Sequence, residues 1–126
     1  MPHLSFQSGS RMSAYGIVFV CLAGISLALT DAPASQQAPE LMPQEKEMAM
    51  ALSAGPDHIR ANASVYVLQK NGFVLARQGT NGFACIVNRD HPLNQKPTCY
   101  DPEGAATILP KVLRVGELLM KGVPLD

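Results

Sequence analysis

The clearest alternation of apolar and polar positions lies mid-chain. SVYVLQK from Ser64, FVLARQ from Phe73 and FACIVN from Phe83 are β-rich runs separated by Asn71-Gly72 and by Gly79-Thr80-Asn81-Gly82. Asn-Gly between such runs predicts a tight hairpin, because a type I′ turn needs positive φ at both central residues, which Asn tolerates and Gly adopts freely. Two such turns in close succession predict a three-stranded antiparallel meander. A two-residue first turn sets Val67 opposite Ala76, and Cys85 then falls opposite Gln78 or Ala76 according to the length of the second loop. In either register Val65, Val67, Val74, Ala76, Phe83, Cys85 and Val87 share one face, the side expected to be covered. The other face carries Tyr66, Leu68, Phe73, Leu75 and Ile86, interrupted by Arg77 and Asn88. A small sheet with two apolar faces needs a helical layer on each or a partner on one.

Helical spacing flanks this core. From Pro43 to Ser53, PQEKEMAMALS is rich in helix formers, with Pro at the first position, Glu45 and Glu47 in the first turn, and Gly55-Pro56 as a stop. Met48, Ala51 and Leu52 give it a narrow apolar stripe suited to core packing. Asp101-Pro102-Glu103 opens a second helix with a capping Asp, a Pro that fits the first turn and a Glu at the positive end of the dipole. Ile108, Val112, Val115 and Leu119, widened by Leu109, Leu113 and Leu118, form a broad buried stripe toward Gly122. This helix is expected to cover the Cys85 face. Pro110 removes a hydrogen bond and costs ~3 kcal/mol in a helix interior, which predicts a short turn over 102–108 and the main helix from about 110. Between Asn88 and Cys99, RDHPLNQKPT reads as a polar, Pro-containing loop.

The first thirty-four residues read as an address. No charge lies between Arg11 and Asp31, and YGIVFVCLAGISLAL from Tyr15 is nearly all apolar and preceded by one basic residue. That is the layout of a secretory signal peptide. Small residues qualify for cleavage at Ser26/Ala28, Thr30/Ala32 and Ala32/Ala34, which puts the cut between 28 and 35. The alternative is an uncleaved membrane anchor, since the charge-free span approaches the ~20 residues that cross a bilayer. Gly16, Gly24, Ser26 and Thr30, and the lack of a basic cluster after Asp31, favour removal. Residues 35–42, rich in Pro, Ala and Gln, read as a flexible linker, and 43–126 as a small α+β domain. Cleavage takes Cys21 away and leaves Cys85 and Cys99, an even pair that reads as a disulfide in an exported chain. The loop it closes is worth roughly 3 kcal/mol of unfolded-state entropy.

Composition narrows the function classes. The 126 residues carry ten basic and ten acidic side chains. A pI near 6.8, with no Lys/Arg cluster, removes the electrostatic attraction on which nucleic-acid binding depends, so no nucleic-acid partner is expected. The phosphate, metal, redox and acyl-transfer motifs GxGxxG, GxxxxGK[ST], HExxH, CxxC and GxSxG are missing, and no cofactor is implied. What remains is Asp90-His91 between the cysteines and Asp57-His58 ahead of the first strand. Cys85, His91 and Cys99 with carboxylates would make a zinc site, and Cys99 with His91 a nucleophile pair. Export favours the disulfide over both. Asn62-Ala63-Ser64 is a glycosylation sequon, meaningful only in a host that glycosylates the chain. Arg77 on an apolar face would grip a carboxylate or phosphate, against the simpler role of an edge arginine reaching water.

From Ala61 to Gly122, SVYVL, GTNGFACIVNRD and PTCYDPEGAATILPKVLRVGELL resemble an uncharacterised group of bacterial exported proteins with no assigned activity. The shared pattern is an NGF turn, a cysteine two residues on, a second cysteine in a Pro-rich loop and a Pro-containing helix. Asn81, Gly82, Phe83, Cys85, Arg89, Cys99 and Pro110 fill those positions. Members of the group continue for several tens of residues past this helix.

The expected fold is therefore α+β, a three-stranded antiparallel meander with an N-terminal helix, a C-terminal helix and the disulfide Cys85–Cys99. The expected role is that of a periplasmic or secreted, non-catalytic binding or structural module. It would meet a protein or small-molecule partner through Tyr66, Phe73 and Arg77 on the less covered face. A membrane-tethered structural protein and a small metal- or Cys/His-dependent enzyme are the alternatives.

Overall fold

The computed structural model describes residues 36–125, so the expected leader lies outside the described residues. The elements run α1 (Gln44–Leu52), α2 (Asp57–Arg60), β1 (Ser64–Gln69), β2 (Gly72–Arg77), β3 (Ala84–Asn88), β4 (Lys96–Tyr100), α3 (Pro102–Thr107) and α4 (Leu109–Met120). None of the described helices is long and apolar enough to cross a membrane.

The first hairpin forms, with its loop one residue earlier than expected. Gln69 pairs with Gly72, so Lys70-Asn71 make the turn and Val67 faces Val74 rather than Ala76. Only glycines have positive φ among the described residues, and Gly72, at 123°, supplies the left-handed geometry alone. Up to Leu75 this displacement moves partners by two along β2, so the side chains of Phe73, Val74 and Leu75 keep their expected faces.

The second Asn-Gly makes no hairpin. β3 lies beside β1, parallel to it, with Ser64, Val65 and Tyr66 level with Ala84, Cys85 and Ile86. The sheet order is β2-β1-β3-β4, with β4 antiparallel to β3 at the far edge. The expected three-stranded antiparallel meander is thus corrected to a four-stranded mixed sheet. Gly79 shows why: the chain leaving β2 crosses the start of β1 so closely that a Cβ there would lie 2.3 Å from both the Ala63 carbonyl carbon and Ser64 N. The loop finds its hydrogen bonds on β1. Gly79 N donates to Ser64 Oγ, Thr80 N to Asn62 O, and Ser64 N to Phe83 O. Buried backbone groups need partners, and these satisfy the crossing without a β2–β3 ladder.

The segment expected to be a loop before Cys99 contains β4. An edge strand has one unpaired side, which is where Pro97 and polar residues are tolerated, and Pro97 sits opposite Val87. The turn leading into β4 is built on Asp90, whose carboxylate accepts from Asn94 Nδ2 and Lys96 Nζ.

Each face of the sheet has its helical layer. α1 covers Val65, Val67, Cys85 and Val87, with Ala51 and Ala63 completing the cluster and Met48 and Leu52 against it. α3 and α4 cover the opposite face, where Leu109, Val112 and Leu113 pack on Ala84, Ile86, Tyr66 and Phe73. The C-terminal helix therefore lies opposite the Cys85 face, contrary to expectation. The cause is strand parity at the exit of β4. Tyr100 points away from Cys99 into the second cluster, and Asp101 starts α3 at once by accepting from Gly104 N at 2.7 Å. As expected from Pro110, the helix is broken, with Ile108 between α3 and α4.

Candidate functional site

Parallel pairing of β1 with β3 stops after Tyr66 and Ile86. The Leu68 N–H, which points to the same side as that of Ser64, is left without a strand partner. Glu47 fills the gap: its Oε1 accepts from Leu68 N at 2.9 Å. Arg89, the first residue after β3, brings Nη2 to 3.4 Å from the same oxygen while Nη1 donates to Glu40 O at 3.2 Å. Neither side chain has exposed surface. Burial raises the Glu47 pKa above its ordinary value, opposed by the Leu68 N–H and by the Arg89 charge.

This ion pair joins α1, β1, β3 and the segment ahead of α1. That segment, expected to be a flexible linker, is fastened to the domain where it is described. Gln36 N donates to Gly122 O at 3.2 Å, Glu40 O is held by Arg89, and Pro39 is buried. Cavities of about 210 and 160 Å³ adjoin it, the first lined in part by Glu40, Met42, Lys46 and Gln95, the second by Gln37, Pro92 and Leu93. Glu47 and Arg89 line neither.

Cys85 and Cys99 are bonded to each other and face one another directly across β3 and β4, with Cα atoms 4.0 Å apart. The bridge lies beneath α1, with Cys99 Sγ 3.7 Å from the Ala51 carbonyl oxygen. In this state neither sulfur is a thiolate for a metal or a nucleophile for catalysis. His91 stands in the exposed loop before β4, its Nδ1 accepting from Leu93 N at 3.2 Å. Beside it, hydrogen bonds from Lys96 and then Asn94 hold the Asp90 carboxyl below its ordinary range. Among the described residues, no three His, Cys, Asp or Glu side chains form a metal-binding group. Asp57 pairs with Arg60 along α2, and His58 is exposed there. The sequon Asn62 is exposed and its carbonyl accepts from Thr80 N, while Ala63 is fully buried.

The three residues expected to form an open binding face are brought near one another by the β1–β2 hairpin but serve the fold. Tyr66 and Phe73 pack under α4. Ala76 is an extra residue in β2 between the pairs Tyr66–Leu75 and Val65–Arg77, a bulge that aims Arg77 at the start of β1. There Arg77 Nε and Nη2 donate to Ala63 O at 3.1 and 2.8 Å, and Nη2 also donates to Arg60 O at 2.6 Å. Its donors fasten the α2–β1 connection.

Sequence reasoning missed the Glu47–Arg89 pair, although two signals carried it. Glu47 precedes Ala51 by one helical turn on the buried side of α1, and Arg89 follows Val87 at strand parity on the covered face. No protein-family model, curated protein or solved structure matches this chain.

Proposed function

We propose that this chain is an exported, disulfide-stabilised module of the periplasm or extracellular space that works by binding a protein or small molecule, or as a structural element, and not as a catalyst. The observation that carries the reading is the Cys85–Cys99 bond, set between neighbouring strands beneath α1. Such a bond forms and persists in an oxidising compartment, which agrees with the leader-like first thirty-four residues. The non-catalytic role is supported by where the ionisable side chains are spent. Glu47 and Arg89 are enclosed, Arg77 is bound to backbone carbonyls, and His91 takes part in a loop hydrogen bond.

Mass spectrometry of the protein recovered from a fractionated host tests this reading. The expected result is an N-terminus between residues 29 and 35 in the soluble extracytoplasmic fraction, with two cysteines that resist alkylation until reduced. An intact leader in the membrane fraction would replace the soluble module by a tethered one. An intact leader on a cytosolic product with free thiols would overturn export altogether.

A further inference from the structure

The enclosed ion pair is not fully satisfied. Glu47 Oε2 and Arg89 Nε, both on side chains without exposed surface, have no hydrogen-bond partner among the described residues. Leaving a buried donor or acceptor unpaired incurs its full desolvation penalty, and more so when the group is charged. The two atoms are complementary, since Nε–H donates and the carboxylate oxygen accepts. Their side chains meet only at Nη2 and Oε1, at 3.4 Å, longer than the ~2.7–2.9 Å usual for a charge-assisted bond. The pair is therefore joined at one corner, and no hydrogen bond links Arg89 Nε to Glu47 Oε2 at the other.

We propose that one internal water is bound between these atoms, accepting from Arg89 Nε–H and donating to Glu47 Oε2. The chemistry of the two walls selects the ligand. It must accept one hydrogen bond and donate another. An anion would be repelled by the Glu47 carboxylate and a cation by the Arg89 guanidinium, whereas a neutral molecule with both capacities is attracted by each. Enclosure restricts it to the smallest such molecule, and buried waters occupy polar sites of this kind as fixed parts of a fold. The water completes the junction at which α1 and the ends of β1 and β3 are tied, and it explains how a charged pair is held in so small a core.

A high-resolution crystal structure of the oxidised protein tests the site. The expected result is a fully occupied water within about 3.2 Å of both Arg89 Nε and Glu47 Oε2. A guanidinium turned side-on, with Nε and Nη2 bonded directly to the two carboxylate oxygens and no water between, would overturn it. In solution, the Arg89 Nε–H resonance is expected to show cross-relaxation with a water that resides for nanoseconds or longer, and its absence from a resolved Nε–H signal counts equally against the site. The wild-type protein suffices for both measurements.

Discussion

Gly116 of α4 presses on the ring of Phe73 in β2: a Cβ at Gly116 would lie 2.3 Å from Cδ2 and 2.4 Å from Cε2. The helix can approach the sheet this closely because that position has no side chain. Gly116→Ala gains up to ~1 kcal/mol of helix propensity, but overpacking outweighs it, so a net loss of about 1–2 kcal/mol is expected in urea unfolding. Phe73→Leu introduced with it should return part of that loss, because the two changes share one contact and do not add. A double variant that is merely additive would mean that the ring is not what the new methyl meets.

Gly79 poses a harder constraint than Gly116. The atoms that a Cβ would meet there are backbone, with Asn62 O at 2.4 Å and Ala63 C and Ser64 N at 2.3 Å, and none of them can swing aside as a ring can. Gly79→Ala is expected to cost about 3 kcal/mol, more than Gly116→Ala. It should also speed exchange of the Ser64 amide, whose bond to Phe83 O depends on the crossing. An unfolding midpoint equal to wild type would show that the loop need not run over β1.

The bond between Cys85 and Cys99 closes a loop with a sequence separation of 14. Replacing both with Ala should lower stability by about 3 kcal/mol, chiefly by freeing the unfolded chain. Reduction of the wild-type protein should produce a loss of similar size under the same denaturant titration. A much smaller loss from the double replacement would mean that residual structure already confines the unfolded chain between residues 85 and 99.

The parts of this fold that were legible are those decided by local chemistry. Asp101 caps α3, Pro110 breaks the last helix, and Val65, Val67, Cys85 and Val87 share a face because pleating alternates with a period of two. What escaped was decided at a distance. An Asn-Gly pair announces a reversal but does not say beside which strand the chain comes down, and the contact that settles this joins Gly79 to Ala63, far apart in sequence. β4 escaped because its first three residues, Lys96, Pro97 and Thr98, show no apolar alternation, and Pro97 argued against pairing. The Glu47–Arg89 pair required helix phase and strand parity to be superposed, and a carboxylate in a first helical turn already had a sufficient explanation in the dipole. Tyr66 and Phe73 lie under α4, a cover that strand periodicity does not announce, and Arg77 is turned by the bulge in β2 to the carbonyls of Arg60 and Ala63, a displacement that no sequence signal marks.

The state of Glu47 is open to direct measurement. Burial raises its pKa, so the folded protein holds its proton to a higher pH than the unfolded chain does. The sign of the stability effect follows. The contribution of this group is fully present below its ordinary value of 4.5 and is lost as the pH rises through the folded value. Glu47→Gln keeps an acceptor for the Leu68 N–H but does not titrate. The wild-type unfolding free energy should therefore fall relative to this variant as the pH rises from 4 toward neutrality, and the Glu47 carboxyl carbon should titrate with a midpoint above 4.5. Arg89→Met removes the charge that opposes the shift, so the midpoint should move higher still. A wild-type midpoint below 4.5 would show that the attraction of Arg89 outweighs the cost of enclosing the carboxylate.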